Sequence, residues 1–412
     1  MISRCRAAMH SGRNWRKVIV HKLVCGLLAA AMNSGPTGVV LHGYIFIMSG
    51  QTALFSLLRA GLWQREPDDM SPFPLSDAEW LNVYQMAVSQ TVAGIVWCGM
   101  QYLPDGLLPG DALMVQWVAK VDRIERNNML LNGVLCQLLQ RMAEAGLHPV
   151  VLKGQGIASL YTHPLMRECG DIDLYFQSED EERKAAGLMT QAGCLLQRHS
   201  DGSNCYVWQG VQIEHHTRLF DIYNPFLRGW LSSLAGEHGF LSQSLGGDSS
   251  QSTSTLLSVP SPVPNLLMLN AHLLKHIMGN GVGLRQFCDM AIAYHILCGS
   301  YSPEKLETAY RRAGLQKWTR QLHAFLTGYL GLSLSDLPFA DAGAQTSPEL
   351  LRIVLEGGNF GRHAGAGTKA PQTKWERKLL TARSFWKRRR FSAAYAPKEA
   401  LWTFVNLIIG NF

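Results

Sequence analysis

Two aspartates one residue apart could together hold a metal ion. Asp171 and Asp173 flank Ile172 in the segment DIDLYF, whose alternation of polar and apolar residues predicts a β-strand. Because side chains alternate along a strand, both carboxylates point to the same face of the sheet. Neighbouring carboxylates repel each other unless a cation lies between them, and Mg²⁺ prefers carboxylate and phosphate oxygens. The spacing therefore indicates a magnesium site for phosphoryl transfer, although a solvated strand end has the same pattern.

The segment upstream of the aspartates has the residues of a phosphate-binding turn. The run VVLKG predicts a buried strand that ends at Lys153 and Gly154, and a helical segment follows. A glycine at this junction lets the backbone approach a phosphate, which the amide groups of the helix would face. Lys153 could pair with a phosphate, although Lys-Gly at a strand end is more often only a turn. Arg167, four residues before Asp171, could bridge the aspartates or reach a phosphate, and the sequence favours neither.

A third carboxylate is predicted on a neighbouring strand. Glu214 lies in VQIEHHTRLF, and the alternation of the strand turns Ile213 and His215 to the opposite face. A carboxylate beside the aspartates is the usual general base toward an acceptor hydroxyl. We therefore expect Glu214 to act as this base or as a third metal ligand, with an exposed strand Glu as the alternative.

Two pairs of residues in the C-terminal half could line the same cleft. His272 and His276 lie four residues apart on one helix face, but the Glu of a zinc-binding H-E-x-x-H helix is missing. Packing or hydrogen bonding near the cleft is therefore favoured over metal binding. Arg285 and Asp289 have the same spacing, which is typical of an ion pair on a helix. These residues could close over a nucleotide or only stabilise their helix, and the sequence leaves both open.

The elements that must position these residues predict an α+β fold. The N-terminal part is predicted as helices, over residues 49–65, 76–101 and 111–145. A β-α-β-α-β-β-β order follows, and the chain is mostly helical after Pro264. The expected architecture is a small mixed β-sheet flanked by helices, with a helical C-terminal region. The predicted divisions are an N-terminal helical segment, the mixed core, and a helical region with a basic tail, at residues 48–145, 146–264 and 265–412.

Composition and charge favour a globular cytoplasmic protein. Of the 412 residues, 47% are hydrophobic and 17% are charged, which is typical of a chain with a large core. The net charge is +7, but residues 48–361 contain 21 Lys/Arg against 29 Asp/Glu. An acidic body shows no extended basic groove, so we expect no nucleic-acid partner. The nine cysteines form no C-x-x-C motif, which favours a reducing cytoplasm over a disulfide framework or a zinc site.

The first 47 residues differ in composition from the rest of the chain. They contain six Lys/Arg and no acid, and they include the apolar run at residues 23–32. We predict that residues 1–47 are a non-native or disordered extension, translated from upstream of a true start at Met48. A secretory signal or membrane anchor is one alternative, and a structured arm is the other.

The C-terminal tail, residues 371–412, interleaves aromatic and basic residues. Trp375, Phe385, Trp386 and Phe391 alternate with Lys and Arg. This pattern is typical of helices that contact anionic membranes or nucleic acid. Because the body of the protein is acidic, we favour an amphipathic segment whose aromatics pack on the domain, and keep a weak membrane-surface contact as the alternative.

The segments LKGQGIASLYTHPLMRECGDIDLYF and VQIEHHTRL resemble the uncharacterised bacterial nucleotidyltransferases of the polymerase-beta superfamily. Those proteins share an LKG turn, an Arg, a D-I-D-L strand and a later acid-His strand. The segment LLKHIMGNGVGLRQFCDMA, residues 273–291, is similar to their helical second half. The resemblance implies that residues 146–264 are the nucleotidyltransferase core.

The resemblance also implies a reaction, which is the Mg²⁺-dependent transfer of a nucleoside monophosphate from an NTP to a hydroxyl on a sugar, small molecule or protein. It implies that Asp171 and Asp173 bind the Mg²⁺ and that Glu214 acts as the general base. The residues expected to contact the NTP are Lys153, Gly154, Arg167 and Arg285. The turn Lys153-Gly154-Gln155 departs from the Gly-Gly or Gly-Ser turn of the superfamily, so a catalytically inactive nucleotide-binding or scaffold protein is the alternative.

Overall fold

The computed structural model describes residues 41–198, 202–245, 255–279, 281–339, 345–358 and 382–409. Its architecture is the predicted α+β fold, a small mixed sheet flanked by helices with a helical C-terminal region. The expectation for residues 1–47 falls largely on residues outside the described part, since 1–40 are not described and 41–47 open the first helix.

The N-terminal segment consists of four helices. They are α1 (Leu41–Trp63), α2 (Asp77–Ser89), α3 (Ala93–Met100) and α4 (Asp111–Glu144). The start of α2 is fixed by a capping box, in which Ser76 accepts from the backbone of Glu79 and the Glu79 carboxylate accepts from the backbone of Ser76. Helices α1 and α3 pack closely because Gly61 and Gly99 lie at their contact, where a Cβ would collide with a backbone carbonyl of the facing helix.

The predicted single helix over residues 76–101 is wrong, because the chain breaks between α2 and α3. Thr91 adopts a left-handed backbone conformation with φ of 54°. The side chain of the buried Gln90 accepts from the backbone N–H of Leu284 at 2.9 Å and donates to the carbonyl of Val354 at 3.0 Å. These partners lie almost two hundred residues or more away in the chain, so the local pattern of apolar residues could not predict the break.

The central sheet is short and mixed. In the described part of the chain it contains β1 (Val150–Leu152), β2 (Ile172–Tyr175), β3 (Gln197–Arg198), β4 (Asn204–Trp208) and β5 (Val211–His216). The strand order is β1-β2-β5-β4-β3, with β2 and β5 parallel and the other neighbours antiparallel. Helices α5 (Gly154–Ala158) and α6 (Glu179–Gln191) follow β1 and β2. The apolar side chains of Ile172, Leu174 and Ile213 are fully buried, which anchors the two central strands.

A hairpin packs beside this sheet and leads into the helical half. It consists of β6 (Phe240–Ser244) and β7 (Leu256–Pro260), preceded by α7 (Arg228–His238). The Ser-rich stretch at residues 241–264 supplies β7 and all of β6 except Phe240. Leu257 and Val259 of β7 share a buried cluster with Val151 of β1.

The rest of the described chain is almost entirely helical. The helices are α8 (Pro262–Met278), α9 (Leu284–Leu297), α10 (Pro303–Ala313), α11 (Gln316–Leu330), α12 (Pro348–Gly357), α13 (Arg389–Tyr395) and α14 (Pro397–Ile409). Among the residues that the structure describes, no helix is long and apolar enough to cross a membrane.

The C-terminal tail packs on the helical region. The prediction that its aromatic residues are buried there holds for some of them. Phe391 is fully buried and Phe385 is nearly so, whereas Trp386 is exposed and lies under the guanidinium of Arg389. The guanidinium of Arg388 donates to the carbonyls of Ile277 and Gly279 at 2.8 and 2.7 Å, which caps the end of α8. Trp375 lies outside the described residues.

Glu399, in the C-terminal tail, makes the stability of the folded protein depend on pH. Its buried carboxylate accepts from the backbone N–H of Tyr223 at 2.6 Å. Burial, helped by the negative charge of Asp221, raises the pKa of Glu399 from 4.5 to about 7, despite the hydrogen bond. The folded protein therefore holds this proton more tightly than the unfolded chain, and the wild type loses stability as the pH rises from about 4.5 to 7.

We expect the Glu399→Gln variant to be more stable than the wild type at pH 8, by about 2 kcal/mol in the free energy of unfolding. The amide still accepts from Tyr223 and never ionises, so the difference should nearly vanish at pH 4.5. Urea unfolding at both pH values measures this, with the exposed Glu356→Gln as the control. An equal difference at both pH values would contradict the ionisation of Glu399 as the cause.

Candidate active site

The register of the sheet brings the predicted carboxylates together. Asp173 lies directly opposite Glu214 across the parallel β2–β5 pair, and Leu152 lies opposite Asp173 on the other side. Asp171 comes one residue before β2, on the same side of the chain as Asp173 by alternation. The prediction that the strand of Glu214 neighbours that of the aspartates is therefore confirmed.

His216 joins this group, and the sequence reasoning missed it. Its Nε2 lies 2.7 Å from Asp173 Oδ1 and 3.8 Å from Glu214 Oε2. One ligand atom from each of Asp173, Glu214 and His216 lies within 4.8 Å of the others, a spacing that one metal ion could bridge. The signal was available, because His216 follows Glu214 by two residues on a strand and must share its face.

The turn after β1 brings a lysine to the same carboxylate. Lys153 has a φ of 46° and Gly154 a φ of 27°, so the chain reverses sharply as it leaves the strand. The Nζ of Lys153 lies 3.2 Å from Asp173 Oδ1. A Cβ at Gly154 would lie 3.4 Å from the carbonyl oxygen of Asp171, so the turn also packs against the start of β2. In this structure Lys153 neutralises an aspartate.

The two aspartates have opposite electrostatic environments. Burial, together with the charges of Asp173 and Glu214, raises the pKa of Asp171 to about 6, although Lys153 and Arg285 act in the other direction. Burial would also raise the pKa of Asp173, but Lys153 and His216 outweigh it and hold that pKa well below its ordinary value. Of the two aspartates, Asp171 is therefore the one whose negative charge is less compensated by its neighbours. A cation bound beside it would stabilise that charge.

Arg167 and Asp289 form a buried ion pair behind the aspartates. Nε and Nη2 of Arg167 donate to the two oxygens of Asp289 at 3.0 and 2.5 Å, and Nη1 donates to Cys169 Sγ at 3.1 Å. The hydroxyl of Tyr161 donates to Asp289 at 2.8 Å. Among the described residues, Arg167 therefore does not bridge Asp171 and Asp173, which was one of the two possibilities for it.

Arg285 does not pair with Asp289, which corrects the interpretation from their spacing. Among the described residues, the partner of Asp289 is Arg167, because its guanidinium takes both carboxylate oxygens. Nη1 of Arg285 instead donates to the carbonyl of Glu168 at 2.7 Å, while its buried Nε has no hydrogen-bond partner. The positive charge of Arg285 acts to lower the pKa of Asp171, so this cation lies within electrostatic reach of the candidate site.

The histidine pair on α8 is hydrogen-bonded beside the cleft, as predicted. Nε2 of His276 lies 3.0 Å from Nε2 of His272, whose Nδ1 lies 2.7 Å from Asp221 Oδ2. Lys275 donates to the other oxygen of Asp221 at 2.7 Å. Burial and the charge of Lys153 lower the pKa of His272 to about 4, so both hydrogen bonds are satisfied with neutral rings. Asp221 had no signal in the sequence, since it comes from a loop.

A pocket connects the two clusters. It runs along the chain from His216 to Tyr223 and includes Arg218 and Asp221, with Ser203 on its far side. One end therefore borders the Asp173–His216 contact and the other borders the Asp221–His272 contact.

The comparison with protein families identifies the class of protein to which the chain belongs. Residues 76–330 match the model of a family described as uncharacterised nucleotidyltransferase. The chain belongs to this family. The searches of curated proteins and of solved structures each found no match. Family membership supports nucleotidyl transfer in general with an NTP as substrate, and every candidate site residue of this nucleotidyltransferase lies within the matched segment.

Proposed function

We propose that the protein transfers a nucleoside monophosphate from an NTP to a hydroxyl acceptor in a Mg²⁺-dependent reaction. The observation that carries the proposal is the register of β2 and β5, in which Asp173 faces Glu214 and Asp171 precedes them. Lys153 and Arg285 bring positive charge to the same carboxylates. Carboxylates for a metal beside cations for a triphosphate are the parts that phosphoryl transfer requires.

The chemistry of the donor set fits a divalent cation. Asp171 and Asp173 would hold it, because Asp171 carries excess negative charge and hard cations prefer carboxylate oxygens. When bound, the ion would neutralise charge on the phosphates and favour ionisation of the acceptor hydroxyl.

The residues of the chain supply the remaining steps. In the proposed reaction Lys153, the Gly154 backbone and Arg285 bind the triphosphate, and Glu214 accepts the proton of the acceptor hydroxyl. The acceptor oxygen forms a bond to the α-phosphorus, the bond from that phosphorus to the bridging oxygen breaks, and pyrophosphate leaves. Arg167 acts as a positioning residue through Asp289, since its guanidinium is fully engaged there.

Nucleotide binding without transfer is the second candidate. One observation favours it, which is that Asp173 Oδ1 already accepts from His216 at 2.7 Å and lies 3.2 Å from Lys153. A carboxylate so neutralised would bind a second cation less strongly. This candidate predicts NTP binding without release of pyrophosphate in the presence of any acceptor.

Thermal stabilisation by each NTP with Mg²⁺ tests the proposal on the full chain. A ligand present at 100 times its Kd stabilises the folded state by about 2.7 kcal/mol, so we expect the melting temperature to rise by about 3–5 °C. The Asp171→Asn/Asp173→Asn variant should lose this rise, and the exposed Asp180→Asn should keep it. No rise with any NTP would overturn the proposal, and a rise without pyrophosphate release would favour the second candidate.

A further inference from the structure

His216 brings an imidazole nitrogen into the group of carboxylates. Its ring lies on the site face of β5 because the strand alternates, while the preceding His215 lies on the opposite face. There His215 is fully engaged, with Tyr206 at 2.9 Å on one nitrogen and Glu182 at 3.2 Å on the other. The two adjacent histidines therefore have different partners, and of the two it is His216 whose nitrogen contacts the carboxylates of the site.

The separations within the group fit one metal ion. Ligands about 2.1 Å from an octahedral ion lie about 3.0 Å apart when adjacent and about 4.2 Å apart when opposite. The Nε2 of His216 lies 2.7 Å from Asp173 Oδ1 and 3.8 Å from Glu214 Oε2. All three ligand atoms lie within 4.8 Å of one another, so small adjustments of the side chains would let a single ion reach them. Such an ion uses the lone pair on Nε2, and the ring then carries its proton on Nδ1.

The nitrogen ligand selects the class of metal. Mg²⁺ prefers oxygen ligands and retains several waters, whereas imidazole suits first-row transition metals. Two carboxylates and one imidazole form a ligand set for a first-row transition metal, and among these metals Mn²⁺ is the one that takes carboxylate oxygens as Mg²⁺ does. The Nζ of Lys153 lies 3.2 Å from Asp173 Oδ1, so an ion bound there would compete with its ammonium for this carboxylate.

We propose that Asp173, Glu214 and His216 form a metal position with one nitrogen ligand that prefers Mn²⁺ over Mg²⁺. The inference rests on the proposed function, because it concerns the metal of the same site. It differs from the expectation of a magnesium site held by Asp171 and Asp173 alone, since it adds an imidazole, changes the metal and makes Glu214 a ligand in place of the general base.

Electron paramagnetic resonance with Mn²⁺ alone, without nucleotide, tests this directly on the full chain. Loss of the free-ion signal on titration gives the Kd, and electron spin echo modulation reports a nitrogen bound to the metal. We expect nitrogen modulation in the wild type and its loss in His216→Gln, with Mn²⁺ affinity weakened by more than about 100-fold, since an outer-sphere partner already contributes 10–100-fold. Mg²⁺ should displace Mn²⁺ only in large excess.

The control is His295→Gln, which removes a histidine that also lies 2.7 Å from a carboxylate but is remote from the site in α9. It should keep both the modulation and the Kd. Absence of nitrogen modulation from bound Mn²⁺ in the wild type would overturn the inference even if the His216 variant did not fold. Modulation that persists in His216→Gln, or absence of Mn²⁺ binding, would also overturn it.

The same experiment separates this inference from the proposed function. Bound Mn²⁺ without nitrogen modulation, together with Mg²⁺-dependent stabilisation by an NTP, would reject His216 as a ligand and leave the transferase proposal intact. Nitrogen modulation without stabilisation by any NTP would support the metal position and reject the transferase proposal.

Discussion

Replacing Asp171 with Asn is expected to stabilise the metal-free protein, and replacing Asp173 with Asn is expected to destabilise it. Each substitution should nevertheless reduce the rate of pyrophosphate release from an NTP by more than about 100-fold. Loss of an outer-sphere partner of a bound metal already costs 10–100-fold, so loss of a direct ligand should cost more. If Asp171→Asn stabilises the fold and yet loses activity, Asp171 is kept for activity at the expense of stability.

The opposite signs follow from the neighbours of each carboxylate. Asp171 is half-buried, and the pKa of about 6 reflects burial and repulsion by Asp173 and Glu214. Asn removes this repulsion, which should raise the free energy of unfolding at pH 7 by about 1–3 kcal/mol. Because the pKa of Asp171 is raised in the folded state, the repulsion is complete above pH 6 and disappears toward pH 4.

Asp173 has the converse environment. Its carboxylate lies 3.2 Å from the Nζ of Lys153 and accepts from His216, and the side chain is only 8% exposed. Asn leaves the Lys153 ammonium without this partner, and removing one member of a buried pair costs about 3–5 kcal/mol. Because Asp171 and Asp221 also stabilise the Lys153 charge, we expect a loss nearer 2 kcal/mol.

Urea unfolding in the presence of a chelator measures both variants, at pH 7.5 and pH 4.5. The Asp171→Asn advantage should be present at pH 7.5 and small at pH 4.5. Asp180→Asn is the control, since Asp180 is exposed and its ion-pair partner within the described part of the chain is Arg183, at the start of α6. Destabilisation by both variants would show that the repulsion at Asp171 does not dominate its environment.

The carboxylates could be predicted from the sequence because the signal is local. Alternation along β2 and β5 sets the face of Asp173 and Glu214, and buried residues such as Ile172 and Ile213 fix the register of the pair. The same alternation contains His216, so that residue lay within reach of sequence reasoning. The fold class followed from the order of strands and helices, which is also a local pattern.

The partners of the cations could not be predicted, because they are set by long-range packing. Arg167 and Asp289 are 122 residues apart in the chain, whereas Arg285 and Asp289 have a spacing that suggests a pair. Packing of α9 against α5 brings Asp289 to Arg167 and turns Arg285 toward Glu168. Lys153 meets Asp173 for a similar reason, since the antiparallel register of β1 and β2 places Leu152 opposite Asp173.

Removing either member of the Arg167–Asp289 pair is expected to destabilise the protein by about 3–5 kcal/mol. The two side chains are 5% and 6% exposed, and two hydrogen bonds join them in a bidentate pair. Arg167→Met would leave a buried carboxylate whose remaining donor among the described residues is Tyr161, and Asp289→Leu would leave a buried guanidinium. Urea unfolding of the two single variants and of the double variant measures the effect and the coupling.

The double variant Arg167→Met/Asp289→Leu should recover a large part of the loss, because it leaves neither charge buried alone. The matched control is Asp68→Asn, which breaks the bidentate pair with Arg59, where the Asp68 side chain is 43% exposed. An exposed pair contributes about 1 kcal/mol or less, so the control should change stability little. A loss below 1 kcal/mol in each Arg167 and Asp289 variant would show that the loop leading to Asp171 does not depend on this pair.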